Sequence, residues 1–377
     1  MIRAEKRRHI MNLLDQFEVL EIDKNMLTDK KQQTDYKIKY VSEYAKLWSI
    51  ISAERNDVTE ITFIDCMCNA GVYRDGDCCT AIEVFSLFKE AAQLHKNKTY
   101  NLYLNDIDSN RISCINKVIQ YLNDDVVENL KVYTNNMDVN VYLERLATND
   151  NIFGYGKSVV LYIDPFDFGT VNIPIVSKVL KNNYCEVIFN FFISDYVRNI
   201  KKDKNRIRAC INNGNVETKE DIINYMRKSL SVGKIQYFFA YQFKTITNVE
   251  LYQIIFVSPN IRGLEKLKEV LWKVFDGKEF HRNQVETAQM SLFTEEDETQ
   301  MRLDSYTYEA KELLCFNMTE KEMSYEEIEA LLIENTMLMQ SHIINNVLKP
   351  LIKEGKIKKM GRVSARNFKA DTYKRGF

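Results

Sequence analysis

Apolar residues recur at helical spacing over about residues 36–56, where Ile38, Val41, Tyr44, Ala45, Trp48 and Ile51 mark one face of an amphipathic helix. The short run Ile61-Thr62-Phe63-Ile64-Asp65 then predicts a buried strand, followed by a turn and a helix from about Ala81 to Lys96. Asn101–Leu104 reads as a strand, Asp108 to about Leu122 as a helix, Lys131–Tyr133 as a weaker strand, and the segment through Tyr142 to Leu146 as a helix. Val159–Ile163 is a continuous β-branched and aromatic run, the pattern of a strand covered on both faces, and Val187–Phe192 repeats it. After a polar, basic-leaning helical insertion over 201–234, Tyr237–Thr245 and Val249–Val257 predict a hairpin and Leu264–Phe275 a closing helix. The expected fold is α/β: a Rossmann-like class I methyltransferase sheet of five parallel strands ending in an antiparallel hairpin, rather than the six parallel strands of a dinucleotide-binding domain.

The pattern changes after the closing helix. Residues 283–334 hold fourteen acidic and three basic residues, including Glu295-Glu296-Asp297-Glu298, which predicts an acidic connector over 283–323, solvated over its first half. Ser324-x-x-Glu327 is a capping box opening a helix with Ile328, Leu331 and Leu332 on one side. Ile343, Ile344, Val347, Leu348 and Leu351 mark a second helix that stops at Gly355, and Lys356–Met360 can pair with Arg362–Phe368 around Gly361. Helix, helix and hairpin make residues 324–377 a winged-helix-like module, against the alternative of a structural or dimerising helical tail. The expected division is an N-terminal extension (1–33), a methyltransferase-like domain (34–282), the connector and this module.

Charge adds one fact to this picture. The net charge of -1 comes from 52 basic and 53 acidic residues, but residues 340–377 hold ten Lys/Arg against two Asp/Glu, a local +8 that leaves -9 on the rest. Lys349, Lys353, Lys356, Lys358, Lys359, Arg362 and Arg366 fall on the second helix and its hairpin, the elements by which a winged helix meets groove and phosphates. Nucleic acid is therefore the expected partner, DNA ahead of RNA. No apolar run reaches the roughly 18 residues of a membrane span, and Met1–Arg8 lacks the apolar core of a signal peptide, so a cytoplasmic protein with no membrane partner is expected. The eight cysteines read as reduced. Cys66-x-Cys68 with Cys78-Cys79 has the wrong spacing for paired zinc ligands, and His9, His95, His281 and His342 are scattered, so no metal is expected.

Candidate chemistry gathers where strands end. The loop Asp65-Cys66-Met67-Cys68-Asn69-Ala70-Gly71 follows the first strand, where a doubly wound fold bends around a cofactor. Gly71 permits close approach, and Asn69 tolerates the left-handed conformation usually given to glycine. Asp106, after the second strand, can accept both ribose hydroxyls of a nucleoside cofactor, while Asp108 reads as the cap of the next helix. Asp138, after the third strand, has two readings: an acceptor for an adenine amino group, or another cap. The fourth strand ends in Asp164-Pro165-Phe166-Asp167-Phe168-Gly169, a partial match to the Asp/Asn-Pro-Pro-Tyr/Phe motif with which amino-group methyltransferases hold and stack their target. Cytosine C5 chemistry is disfavoured, because it needs a Cys nucleophile and the four prolines are followed by Phe, Ile, Asn and Leu.

Thr34-x-x-Lys37, Phe63-Ile64-Asp65 with Ala70-Gly71-x-Tyr73, Asn105-Asp106-Ile107-Asp108, Asp164-Pro165-Phe166, and Gly263-Leu264-Glu265-Lys266 through Trp272 together resemble the three-Cys-motif partner family. The resemblance covers roughly residues 34–275, more loosely the C-terminal module, and Met67, Cys68 and Asn69 stand where that family has Phe, Ala and Gly. It implies a methyltransferase-like fold and, as partner, a neighbouring-gene protein carrying a three-cysteine motif. The reading for the chain is an S-adenosyl-L-methionine-dependent methyltransferase acting on nucleic acid at an exocyclic amine, with a non-catalytic nucleic-acid-binding partner subunit as the alternative. Asp65, Asn69, Gly71, Asp106 and Asp138 are the candidate cofactor residues, and Asp164, Pro165 and Phe166 the candidate catalytic ones.

Overall fold

The computed structural model describes residues 11–376 apart from 124, 150, 213–215, 245–249, 279, 283–293, 319–321 and 361–366. Two short 3-10 turns, Leu14–Gln16 and Lys24–Met26, precede the long helix α1 (Gln32–Glu54). The expected alternation follows: β1 (Glu60–Asp65), α2 (Thr80–Leu94), β2 (Thr99–Asp106), α3 (Ser109–Leu122), β3 (Leu130–Asn136), α4 (Val139–Ala147), β4 (Lys157–Ile163), α5 (Ile173–Asn182) and β5 (Glu186–Phe191). The insertion is helical, as α6 (Ile193–Asn199), α7 (Lys204–Ile211) and α8 (Lys219–Leu230). The hairpin β6 (Tyr237–Lys244) and β7 (Glu250–Ser258), helix α9 (Ile261–Phe275) and a short β8 (Phe280–Arg282) complete the domain.

The sheet order is β3-β2-β1-β4-β5-β7-β6-β8. Strands β1 to β5 are mutually parallel, and β7 inserts antiparallel between β5 and β6, the predicted ending. Every residue of β5 is buried, because helices cover both faces of the sheet: α1, α2, α3 and α9 contribute to one core and α4, α5 and α8 to the other. The chain fills the sheet on one side of β1 first, through β2 and β3, and then on the other, through β4 and β5. The order therefore reverses between β1 and β4, and ligands of open α/β sheets bind in the crevice outside the carboxyl ends at such a point.

The C-terminal region adds contacts that the sequence pattern did not announce. Residues 283–293 of the connector lie outside the described residues, and from Glu295 the stretch is a 23-residue helix, α10 (Glu295–Asn317). Its described first turns are exposed or half-buried, whereas further along Tyr306, Ala310 and Leu314 are buried in the same core as Leu264, Leu267 and Leu271 of α9. Acidic residues occupy its outer side, which hid the apolar stripe. Beyond it come β9 (Met323–Ser324), α11 (Tyr325–Asn335), α12 (Gln340–His342), a π-helical turn (Ile343–Leu348), α13 (Lys349–Lys353), β10 (Ile357–Met360) and β11 (Thr372–Arg375). The Ser324 capping box forms as read. Among the described residues β10 pairs with Thr372–Arg375 and β11 pairs in turn with β9, while residues 362–366 of the expected hairpin lie outside the described residues. Lys268 of α9 donates to the Ile333 and Thr336 carbonyls at the end of α11, and Trp272 Nε1 donates to the Met337 carbonyl at 2.7 Å. Among the described residues no helix is long and apolar enough to cross a membrane.

Candidate active site

The carboxyl ends of β1, β2 and β4 bring three carboxylates to one edge of the sheet. Asp65 ends β1, Asp106 ends β2, and Asp164 follows β4 directly, so Asp65 and Asp164 flank the reversal point. Asn69 has φ +59° and Gly71 φ +86°, the left-handed turn anticipated for this loop. A Cβ on Gly71 would lie 2.9 Å from Ile115 Cγ1, so this glycine admits α3 to the loop rather than opening ligand space. The loop is fastened from outside by the N-terminal extension. Leu13 N–H donates to Gly76 O (2.8 Å), Cys78 N–H to Met11 O (2.7 Å) and Arg74 N–H to Thr28 O (3.1 Å).

Asp65 is buried, and its Oδ1 accepts the Met67 N–H at 3.1 Å. Burial pushes its carboxyl up to about 8, against that hydrogen bond, with Asp164 and Asp106 nearby adding to the rise. Asp106 is also buried, accepting from Asn69 N–H at 3.1 Å through one oxygen and from Asp108 N–H at 2.9 Å through the other. Asp138 takes the capping role of its two readings, accepting from Asn140 and Val141 N–H. Asp108 caps α3 as expected. The Asn105 amide donates to the Cys66 and Met137 carbonyls and so ties three strand ends together, while its Oδ1 and the buried Tyr142 hydroxyl have no partner among the described residues. Burial raises the thiols of Cys66, Cys68, Cys78 and Cys79, which makes them inert core residues.

Asp164 is held on three sides. Lys37 Nζ lies 2.6 Å from Oδ1, the Asn190 amide donates to the same oxygen at 3.1 Å, and Tyr162 OH donates to Oδ2 at 3.2 Å. The Lys37 ammonium also sits 4.7 Å from the Tyr252 ring centroid and 5.4 Å from that of Phe192, and Tyr40 OH donates to Asn190 Oδ1. Pro165 is buried, whereas Phe166 is 58% exposed with the Arg111 guanidinium 5.2 Å from its ring. Phe168, the second ring of this loop, is buried against Tyr196 and Arg206 and cannot meet a substrate. Asp167 accepts from Gly169 N–H and pairs with Arg206, a structural role.

Lys37, Tyr162 and Asn190 were not anticipated from the sequence, yet two of them left a trace. Asn190 interrupts an otherwise apolar strand, and Lys37 falls on the apolar stripe of α1, four residues before Val41. At the far edge of the sheet a separate cavity of about 530 Å³ is lined by Trp48, Arg55, Gly156, Tyr184, Glu186 and Lys234, so it is no part of the carboxylate site. In the C-terminal module Lys353 and Lys358 are exposed, but Lys349 donates to Asn345, Lys356 pairs with Glu354, and Lys359 lies 2.5 Å from the buried Asp371 carboxylate. Arg362 and Arg366 lie outside the described residues.

No protein-family model matches the chain, and no curated protein sequence matches it. Among solved structures it is similar to a Legionella pneumophila protein of the DUF519 family model, at 12% identity over 63% of this chain and 92% of that one, with TM-score 0.37. It is similar also to the methyltransferase domain of a bacterial Hen1 protein (8% identity, 58% and 99% coverage, TM-score 0.32). A third is a Methanococcus maripaludis protein described as an S-adenosyl-L-methionine-dependent methyltransferase (13% identity, 62% and 96% coverage, TM-score 0.28). At these values the strand order and the antiparallel β7, rather than the likenesses, carry the fold assignment.

Proposed function

We propose that the chain is an S-adenosyl-L-methionine-dependent methyltransferase whose target is an exocyclic amine of a nucleic-acid base. The observation that carries this reading is Asp164, ion-paired to Lys37 and braced by Tyr162 and Asn190, beside the exposed Phe166 ring at the reversal point of the sheet. The residues present fit the cofactor. Among the described residues Asp65 is a buried carboxyl without a paired cation, and Asn105 Oδ1 and Tyr142 OH are buried polar atoms without a partner. Asp65 would face the cationic amino-acid end and Asp106 the ribose, with the exposed Ile107 beside it offering an apolar surface to the base. The cofactor supplies an activated methyl group on a sulfonium, so the protein needs only to align the amine and exclude water. Asp164 accepts a hydrogen bond from the target N–H, which directs the nitrogen lone pair, and takes the proton that the methylated nitrogen sheds. Lys37 keeps that carboxylate in place, and Phe166 stacks on the base, which must be unpaired to reach it. A winged-helix role for residues 324–377 and a neighbouring-gene partner belong to the same reading.

One observation favours a second reading, a non-catalytic binding subunit: both Asp106 oxygens already accept backbone N–H groups and the residue is nearly sealed from solvent. Calorimetry with S-adenosylmethionine and S-adenosylhomocysteine separates the two. In the enzyme reading Asp164→Asn keeps cofactor affinity within about threefold and loses on the order of a hundredfold in labelled-methyl transfer to nucleic acid. Absence of cofactor binding in the folded wild-type protein leaves the second reading standing.

A further inference from the structure

The helices that follow β5 present a concentrated positive surface beside the candidate active site. Between residues 195 and 208 the chain carries Arg198, Lys201, Lys202, Lys204, Arg206 and Arg208 against Asp195 and Asp203, a net of +4. Arg206 is consumed internally: it pairs with Asp167 and Asp195, and its guanidinium lies 4.4 Å from the Phe168 ring centroid. Both acidic residues are consumed as well, Asp195 by Arg206 and Asp203 as the cap of α7. The other five cations are exposed, and Lys204 and Arg208, four residues apart on α7, share a face. The apolar residues of the same segment, Ile193, Tyr196, Cys210 and Ile211, are buried, so the cations stand on a packed support. The Arg206–Asp167 and Arg206–Phe168 contacts join α7 to the loop that carries Asp164 and Phe166.

We infer that α6, α7 and the turn between them form the backbone-binding surface for a single-stranded polynucleotide whose target base stacks on Phe166. The inference rests on the methyltransferase reading for the place of that base and on the charge distribution for the surface. Five exposed cations with no exposed carboxylate among them match a line of phosphates, and the exposed ring supplies the stacking platform that unpaired bases seek. An acidic protein would need no such ring. The C-terminal module is the weaker candidate, since Lys356 and Lys359 are matched with carboxylates there.

The test is fluorescence anisotropy of a labelled mixed-sequence 20-mer, as single-stranded DNA, single-stranded RNA and duplex DNA, titrated with the full-length protein at several salt concentrations. Lys201→Ala, Lys204→Ala and Arg208→Ala together should flatten the log-log salt slope on the single strands by about 2 units, at roughly 0.7 per phosphate contact. Lys353→Ala, Lys358→Ala and Lys374→Ala together should change it by less than half as much. Cofactor calorimetry on both triple variants confirms that the folded site survives. An unchanged slope in the first variant, the larger change in the second, or a preference for the duplex would each overturn the assignment. A wild-type protein that binds strands through α6 and α7 but never binds cofactor would sink the enzymatic reading and leave this surface standing.

Discussion

Lys37 occupies a position on α1 that helical spacing reserves for the core, in line with Val41, Tyr44 and Trp48. Its ammonium is matched by Asp164 and two aromatic rings, so the burial is compensated and the site gains a fixed carboxylate. Lys37→Met should lower kcat by about tenfold to a hundredfold with cofactor affinity unchanged, and Lys37→Arg should restore part of the loss. Asp65 presents the opposite case, a buried carboxyl that pairs with no cation among the described residues. Its proton is held to about pH 8 in the folded protein and released near pH 4 when unfolded. The folded state therefore binds a proton that the unfolded state lacks between those values, and stability falls as pH rises through the window, by about 1.4 kcal/mol per unit of separation. Asp65→Asn should raise Tm at pH 8 and change it little at pH 4, measured by calorimetry. Cofactor binding near pH 6.5 should release a proton, visible as a dependence of the binding enthalpy on the buffer's ionisation enthalpy. No buffer dependence would detach Asp65 from the cationic end of the ligand.

At the scale of elements, α9 and α11 meet through a second buried lysine. Lys268 lies on the stripe of Leu264, Leu267 and Leu271 and donates to two carbonyls at the end of α11. Burial pushes its ammonium down to about 7, opposed by Glu334. Between pH 7 and 10.5 the unfolded chain holds the proton that the folded one has lost, so folding and docking strengthen as pH rises through that window. Hydrogen exchange in α11 should slow from pH 6.5 to 8.5 beyond the intrinsic pH effect, and Lys268→Met should abolish the difference. The strands and helices of the sheet were legible because each apolar run or stripe was long enough to name its period. The α10 stripe was not, since Tyr306, Ala310 and Leu314 are diluted by acidic neighbours. The pairing of β10 with Thr372–Arg375 was not anticipated, because that strand carries only one buried side chain, Tyr373, to announce it. At the active edge the acidic residues could be read from their places after strands. Their partners could not, since Lys37 reaches Asp164 from α1 and Asn190 from the adjacent strand β5, contacts that only the tertiary fold makes.

For the whole molecule, the C-terminal region is part of the main core rather than an appendage. Residues of α9, α10 and α11 share one buried cluster, so cutting the chain near residue 320 would uncover Leu264, Leu267 and Leu271. The truncated protein should aggregate or melt well below the intact one, and Leu267→Ala alone should cost about 2–5 kcal/mol in denaturant unfolding. Clean recovery of a stable 1–320 fragment would show that the two parts fold apart.

The chain has two tryptophans, and neither stands at the carboxylate edge. Trp48 lines the cavity on the far side of the sheet, and Trp272 is clamped between Tyr306, His342 and the Met337 carbonyl where the C-terminal region docks. The intrinsic emission of this protein is thus a two-channel optical reporter blind to the carboxylate edge. With Trp48→Phe the remaining indole reads the seating of the C-terminal region alone, and with Trp272→Phe it reads occupancy of the far cavity, so both events can be timed by stopped flow without a dye.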